Sequence, residues 1–287
     1  MTLTTENYHS SESNAAYWSN SQYKEFLSCP ARAVAGLQGK YRRKPSAALA
    51  FGNLLDRALT APDKLAEFMR GPESFNADGD SFFFDKKGST RDNADMRAYQ
   101  NVLKRIQSDP FLADGLKTWK TQQIFTGKIA GLPWKVMLDF WVDAPGNETI
   151  IDLKNMSDFD EDWVIDPETG KRIKVPWYDR WGYFRSMAVY REVVRQNINT
   201  DPLVALFAFT KQDPPDACSV SFGSEMALSR FYRELEIMAS RLPGFDAMKR
   251  GEIPAPQCDS NDCVWCRGIH TCGRTISAEI NRIYTAE

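Results

Sequence analysis

The segments Val136-Met-Leu-Asp139-Phe-Trp-Val142 and Ile150-Ile-Asp152-Leu-Lys154 decide the expected fold of this chain. β-Branched and aromatic residues dominate both segments, and the turn residues Pro145-Gly-Asn147 stand between them, so we predict two strands. If the strands are neighbours, their ends bring two carboxylates and the lysine amine together. The two segments therefore predict a small polar site at the end of a strand pair.

The residue types of this site indicate a chemistry. Asp139 and Asp152 offer the carboxylate oxygens that Mg²⁺ and Mn²⁺ prefer, and the carbonyl of Leu153 is another candidate ligand. The side chain of Lys154 shares a strand face with that of Asp152 and could orient a water or stabilise negative charge. A divalent ion held there would activate a water beside a phosphate. The alternative is an exposed Asp152–Lys154 pair without function, and the acid on the preceding strand argues against it.

Composition excludes some classes of protein. The 287 residues are 43% hydrophobic, which allows a full core, and the net charge of −2 excludes a uniformly basic nucleic-acid binder. No apolar run is long enough to cross a bilayer, so we expect no membrane partner. Residues 1–16 are polar and lack the apolar stretch of a signal peptide, which predicts a mobile tail on a cytoplasmic protein.

The order of the remaining patterns predicts an α/β fold, a central mixed sheet flanked by helices. We expect one domain over residues 17–287, with a helical part (17–115), a sheet core (116–250) and a Cys-rich segment (251–287) that is clasped to the N-terminal helix. A charged excursion without predicted strands fills 157–176. We predict that Lys120–Lys128 forms a hairpin with the opening strand, Trp134–Asp143, around Gly131. The other predicted helices and strands are Gln22–Leu27, Ala31–Leu37, Ala47–Leu59, 92–107, Trp177–Gln196, Leu203–Thr210, Ala217–Phe222 and Ser224–Leu242.

An ordered set of short motifs carries a family resemblance. It consists of Ser19-Asn-Ser21 through Cys29-Pro30, Ala50-Phe-Gly52 with Asp56, then Asp139, Asp152-Leu-Lys154, Gly182 to Tyr190, and Phe209 to Pro215. In this order the motifs resemble the PD-(D/E)xK nuclease superfamily, especially its exonuclease VIII-like phage branch and the RecB-type nuclease domains. The resemblance implies a restriction-endonuclease-like core and a Mg²⁺- or Mn²⁺-dependent deoxyribonuclease. It also implies an exonuclease rather than an endonuclease, serving recombination, repair or phage DNA processing in a bacterial cell.

Three positions depart from the pattern of this superfamily. Asp56 stands where relatives usually have His, and an aspartate can itself ligate Mg²⁺ or Mn²⁺. The alternative to a ligand role is that Asp56 is a solvated acid on the helix surface. Gln122-Gln123 replace a usual Glu, and Ser186 replaces a usual Gln. These departures keep a second hypothesis open, a catalytically weakened or inactive DNA-binding or assembly protein on the same fold.

The cysteines predict a second centre. Six cysteines in an intracellular chain indicate metal or cluster binding rather than disulfides. Cys263, Cys266 and Cys272 have C-x₂-C-x₅-C spacing, and Cys29 is the best candidate for a fourth ligand. This layout resembles the iron–sulfur nucleases of CRISPR adaptation and of AddAB-type helicase–nucleases, which implies a [4Fe–4S] cluster. The alternative is a local Zn²⁺ site made by Cys258, Cys263, Cys266 and Cys272, with His270 as a further candidate.

The resemblance also implies where DNA binds. In relatives, the helix predicted here over Trp177–Gln196 borders the active site, so Arg185, Ser186 and Tyr190 are candidate DNA contacts. A salt-bridged surface helix is the alternative for its arginines. No segment resembles a base-reading module, so we expect DNA ends or single strands to bind with little sequence specificity. A homo-oligomer or a recombination partner protein is expected by analogy alone.

Overall fold

The computed structural model describes residues 2–165, 169–258, 260 and 263–269. Its chain groups into two compact units rather than one. The first unit takes in the chain up to Asn20 and Arg43–Arg241, and the second takes in Ser21–Arg42 and the described residues from Leu242 onward. In the described part of the chain, no helix combines the length and the apolar character needed to cross a membrane.

Seven helices precede the first strand. Several begin with a side-chain cap, as at Ser46, Asn93 and Asp109, whose side chains accept from backbone amides of the first turn. Residues 71–93 between two of them form a 3-10 turn and short bridges, with Phe83 buried. The helices are α1 (Ser11–Ala16), α2 (Asn20–Ser28), α3 (Pro30–Leu37), α4 (Ala47–Thr60), α5 (Leu65–Arg70), α6 (Ala94–Ser108) and α7 (Pro110–Thr118).

The rest of the chain contains all of the described strands and four helices. The predicted hairpin around Gly131 and the strands after it are present, close to their predicted bounds. The elements are β1 (Lys120–Ile129), β2 (Leu132–Val142), β3 (Thr149–Met156), β4 (Asp162–Ile165), β5 (Arg172–Val175), α8 (Trp177–Arg180), α9 (Tyr183–Arg195), β6 (Leu203–Thr210), β7 (Ala217–Ser221), α10 (Glu225–Lys249) and α11 (Val264–Ile269).

The main sheet has five strands in the order β1-β2-β3-β6-β7. Strand β3 pairs in parallel with β6, and the other neighbours are antiparallel, so the sheet is mixed. Helices α4, α6 and α7 bury Leu55, Val102, Ile106 and Leu112 against Phe209 of β6, and α9 packs on β1, β2 and β6. The predicted fold class, a mixed sheet flanked by helices, is confirmed.

The pairing between strands β2 and β3 ends at the two acids. The β2–β3 ladder runs from Val142↔Thr149 to Phe140↔Ile151 and stops there, one residue before Asp139 and Asp152. The β1–β2 register also skips Gln122, whose φ of 49° is a left-handed conformation that is rare for residues other than glycine. The sheet therefore opens where the polar side chains stand.

The polar residues 2–16, predicted to be a mobile tail, are instead packed on β2. The Lys135 ammonium, 1% exposed, donates to the Tyr8 carbonyl, the Ser13 hydroxyl and the Asn14 amide oxygen. A bridge between Trp18 and Trp134 continues the contact. The tail is ordered because a buried ammonium needs hydrogen-bond acceptors, and its polar side chains and carbonyls supply them.

Three further differences concern the chain after β3. The predicted helix over Trp177–Gln196 is two helices, α8 and α9, because Gly182 between them has a φ of 66°. The excursion 157–176 contains a separate two-stranded hairpin, β4–β5, which its charged composition had hidden. Helix α10 also runs to Lys249, past the predicted end near Leu242.

The second unit has an aromatic core of its own. Tyr23 and Phe26 of α2 contact Phe245, with ring centroids 5.7 and 5.5 Å apart. Lys249 donates to the Gln22 amide oxygen at 3.0 Å. Helix α3 of this unit begins at Pro30, directly after Cys29, and α11 carries Cys266.

Candidate functional site

Two acids and a lysine meet around the peptide group of Leu153. Its N–H donates to Asp139 Oδ2 at 2.8 Å, and its carbonyl accepts from Lys154 Nζ at 2.8 Å. The same ammonium forms an ion pair with Asp152 Oδ2, and Asp152 is 2% exposed. The structure therefore brings the predicted residues together. The Leu153 carbonyl, a predicted metal ligand, accepts a hydrogen bond from Lys154 instead.

Asp56 reaches the same place from helix α4. It lines a cavity of about 400 Å³ together with Asp139, Leu153 and Lys154. Asn155 lines this cavity as well, and its side-chain oxygen is buried without a hydrogen-bond partner among the described residues. A cavity with acids and an unsatisfied oxygen suits a hydrated cation or the polar part of a substrate.

A hydrogen-bond chain fixes Asp56. The Thr60 hydroxyl donates to the Asp56 carbonyl at 2.9 Å and lies 3.4 Å from Asp56 Oδ1. Gln122 Nε2 in turn donates to the Thr60 hydroxyl at 3.2 Å. Sequence reasoning noted Gln122 only as a departure and missed Thr60 and Asn155. The signals were available, since Thr60 stands one helical turn after Asp56 and Asn155 follows Lys154 directly.

The three acids crowd one another electrostatically. Burial, with the Asp152 charge beside it, raises the pKa of Asp139 to about 8. Burial also raises the pKa of Asp56, and the Asp152 charge adds to the shift. Once all three acids are ionised, their negative charge exceeds what Lys154 balances. A divalent cation with oxygen ligands fits this donor set, and a soft metal that prefers sulfur does not.

Lys154 is held in its charged form. Burial alone would lower the pKa of Lys154, but the charges of Asp152 and Asp139 outweigh it and raise the pKa above its ordinary value. The ammonium also lies 5.6 Å from the centre of the Tyr183 ring. At neutral pH this lysine can therefore stabilise negative charge, whereas it cannot accept a proton.

The DNA contacts predicted on α9 fall in different environments. Ser186 is 3% exposed, accepts from Asn20 Nδ2 at 2.8 Å and donates to the Gly182 carbonyl, so its hydroxyl does not face a substrate. Arg185 and Tyr190 are half-buried. Burial raises the pKa of Tyr190, and the charges of Asp152 and Asp139 raise it further, which places its hydroxyl near the acids.

The second unit holds a set of four cysteines. The sulfurs of Cys29, Cys258, Cys263 and Cys266 all lie within 4.8 Å of one another, and three of the four residues are buried. Cys29 Sγ is 3.3 Å from Cys266 Sγ, which is 3.8 Å from Cys258 Sγ. Within the described ranges, no other set of three or more His, Cys, Asp or Glu ligand atoms comes so close.

The surroundings of the cysteines shift their pKa values in opposite directions. Burial raises the pKa of Cys266 to about 12. Burial acts on Cys263 in the same sense, but hydrogen bonds from the Cys266 backbone and the other thiols lower its pKa to about 7. The Arg32 guanidinium lies 3.8 Å from Cys263 Sγ, and the Arg32 N–H donates to Cys29 Sγ. These positive and donor groups suit a site of bound thiolates.

The observed set differs from both predicted sets. Cys29, Cys263 and Cys266 belong to the predicted cluster, whereas Cys258 was predicted only for the local zinc site. Cys272 and His270 lie outside the described residues. Cys218 is half-buried on β7 and stands apart from the set.

The comparisons with known proteins agree with this geometry. Residues 19–268 match the family model of the PDDEXK-like domain of unknown function (DUF3799). The chain belongs to this family. The match confirms the superfamily that the sequence predicted. The candidate acid-x-lysine motif of the chain is Asp152-Leu-Lys154. No curated protein matches the sequence.

One solved structure resembles this PDDEXK-like domain over its full length. It is the crystal structure of a protein from Eubacterium rectale described as "Putative exonuclease", with a TM-score of 0.80 and 27% identity. The match covers 99% of this chain and 100% of that chain. A second crystal structure, of SSO0001, matches with a TM-score of 0.27 and 9% identity over 77% of this chain and 84% of that one, too low to support an argument.

Proposed function

We propose that this protein is a divalent-metal-dependent deoxyribonuclease that acts as an exonuclease on DNA ends. The observation that carries the proposal is the meeting of Asp139, Asp152 and Lys154 around one peptide group, with Asp56 on the same cavity. The family and the name of the Eubacterium rectale protein support the same activity class. The expected role in recombination, repair or phage DNA processing follows from the sequence resemblance.

In this proposal the acids hold Mg²⁺ or Mn²⁺. Asp139 and Asp152 are the main ligands, Asp56 completes the set, and the Leu153 carbonyl becomes a ligand only if Lys154 releases it. When bound, the ion supplies an activated water and neutralises phosphate charge. Among the described residues the three aspartates do not form a ready set of converging ligand atoms, so their side chains must move towards a shared ion.

The residues of the chain then have separate tasks. Lys154 stays protonated and stabilises the negative charge that develops on the phosphate oxygens. The Leu153 carbonyl and the Tyr183 ring orient its ammonium. The chain through Thr60 and Gln122 holds Asp56 on the cavity. Arg185 and Tyr190 remain proposed DNA contacts, and Ser186 is left out because it is buried.

A nuclease assay tests this function. Purified protein should degrade linear DNA when Mn²⁺ is added, and Lys154→Ala should lose at least about a hundredfold in rate, as for loss of one charge-stabilising group. Lys120→Ala is the matched control, because Lys120 is an exposed lysine paired with Asp143 on the same sheet; it should keep the wild-type rate. Equal rates for wild type and Lys154→Ala would disprove the assignment.

Substrate topology separates the two kinds of nuclease. An exonuclease degrades a linear duplex and leaves a closed circle of the same sequence intact. Cleavage of the closed circle at a similar rate would replace the exonuclease by an endonuclease.

A second candidate is a DNA-binding or assembly protein without catalysis. The residues at positions 56, 122 and 186 favour it, because they replace the usual residues of the superfamily. It predicts binding of linear DNA with no Mn²⁺-dependent cleavage by the wild-type protein.

For the cysteines we propose a [4Fe–4S] cluster, with Zn²⁺ as the alternative. The C-x₂-C-x₅-C spacing with Cys29 supports the cluster and assigns Cys272 as a ligand. The distances between the sulfurs support a single Zn²⁺ ion, because four Zn–S bonds of about 2.3 Å place tetrahedral sulfurs about 3.8 Å apart. In the zinc version the fourth ligand is Cys258, whose sulfur lies 3.8 Å from that of Cys266.

The two versions assign different fourth ligands, so a pair of variants separates them. With the cluster, anaerobic protein is brown, contains iron and acid-labile sulfide, and loses both in Cys272→Ser but not in Cys258→Ser. With zinc, the protein is colourless, and Cys258→Ser is the variant that loses the metal.

A further inference from the structure

The hairpin β4–β5 exposes large apolar side chains on one face. Trp163 pairs with Lys174, and Ile165 with Arg172, so these four side chains share that face. Trp163 is 52% exposed and Ile165 is 70% exposed. An exposed patch of this kind indicates a binding surface.

Basic side chains surround the exposed indole. The Arg172 guanidinium carbon lies 5.4 Å, and Lys174 Nζ 5.6 Å, from the centre of the Trp163 ring. Glu161 faces Lys174 at 4.0 Å, in an exposed pair that contributes little. Arg172 forms no ion pair with the residues that the structure describes. The face therefore offers an aromatic surface with positive charge around it.

A second exposed tryptophan lies beside the hairpin. Trp181 follows helix α8 and is 52% exposed, and the Arg180 guanidinium carbon lies 5.1 Å from its ring centre. Arg180 is also paired with Asp162 of β4. Because successive side chains of a strand point to opposite faces, Asp162 and this ion pair lie on the face of the hairpin opposite Trp163.

Aromatic contacts connect the hairpin to the candidate active site. Tyr183, whose ring lies 5.6 Å from the Lys154 ammonium, contacts Trp177 at 6.0 Å between ring centres. Trp177 contacts Phe159 at 5.2 Å. Phe159 precedes β4, and Trp177 follows β5. Both ends of the hairpin are therefore linked to Lys154 through Trp177 and Tyr183.

We propose that Trp163 stacks on a base of a single DNA strand that leads to or from the active site, with Arg172 and Lys174 on its phosphates. This inference rests on the proposed nuclease function and assigns a part of its substrate. Exposed aromatic rings with cations beside them are suited to single strands, because the faces of unpaired bases are open. In a duplex the bases cover one another, so such rings find no partner.

The test measures binding without hydrolysis. A fluorescein-labelled oligothymidylate, longer than the roughly 4–16 nucleotides that one site covers, is titrated by anisotropy without added divalent cation. Trp163→Ala should weaken binding at least about fivefold, as expected for one lost stacking contact, and Trp163→Phe should recover most of the loss. Tyr232→Ala is the matched control, an aromatic residue 54% exposed on α10, and should bind like wild type.

The outcomes separate this inference from the proposed function. Unchanged oligothymidylate binding in Trp163→Ala, or equal losses for a duplex and the single strand, would overturn the stacking surface even if the wild type cleaves DNA. A loss confined to the single strand and to Trp163 would support it. Absence of Mn²⁺-dependent cleavage would overturn the nuclease while leaving the binding result intact.

Discussion

The acid site and the cysteine set gather reactive groups in opposite ways. Burial, together with the Asp152 charge, raises the pKa of Asp56 and Asp139, and the sheet and helix α4 hold these two acids on one cavity. The cysteine sulfurs converge within 4.8 Å of one another. Gathering buried acids at the first site lowers the stability of the fold. The metal proposed for the cysteine set would raise it.

The largest expected effect is on stability at the cysteine set. Cys266→Ala should lower the melting temperature by ten degrees or more, because loss of a structural metal removes several kcal/mol of folding free energy (on the order of 10 kcal/mol for zinc-binding peptides). Cys218→Ala, which changes a half-buried cysteine away from the set, is the control and should shift the temperature little. Melting curves of the two purified variants make the comparison. Equal curves would show that the set has no structural role.

The next effect is a dependence on pH at the acid site. In the folded protein the pKa of Asp139 is raised to about 8, whereas an unfolded carboxyl titrates near pH 4. Between these values the folded chain keeps a proton that the unfolded chain has lost, so stability falls as pH rises. A cation replaces that proton. Mn²⁺ should therefore raise the melting temperature more at pH 8 than at pH 6.

The neutral variant Asp139→Asn is the control for this dependence. It carries no titrating group at residue 139, so both the loss of stability with pH and the stabilisation by Mn²⁺ should shrink. If wild type gains as much from Mn²⁺ at pH 6 as at pH 8, the raised pKa of Asp139 does not govern metal binding.

A smaller effect is expected at the support of Asp56. Thr60→Val removes the hydroxyl that lies between Asp56 and Gln122, and loss of one hydrogen bond costs about 1 kcal/mol. Mn²⁺ affinity, measured by calorimetry, should fall less than about tenfold, and Thr60→Ser should retain it. A larger loss in Thr60→Ser than in Thr60→Val would contradict the hydrogen-bond chain.

The sequence was informative where chain neighbours are also neighbours in space. Strands β2 and β3 follow each other, so an acid in each was enough to predict that Asp139 and Asp152 meet. The spacing of Cys263 and Cys266 predicted their convergence in the same way. Asp56 came from a family motif and not from strand order, and the structure places it on the cavity with Lys154.

The sequence was misleading where a polar residue has a buried partner far along the chain. Nothing local to residues 2–16 shows that Lys135 will need their oxygens. Ser186 was predicted as a DNA contact from its place in a motif, but Asn20 occupies its hydroxyl. The hairpin β4–β5 was missed because four-residue strands with exposed faces lack a clear apolar alternation.

Titration of the protein with Mn²⁺ by calorimetry tests the central claim, that the aspartates share a divalent cation, most directly. Wild type and Asp143→Asn, which changes an exposed acid just beyond the end of β2, should bind Mn²⁺ alike. Asp139→Asn should bind at least about tenfold more weakly, a loss of about 1.4 kcal/mol. Equal Mn²⁺ affinity in all three proteins would contradict the account.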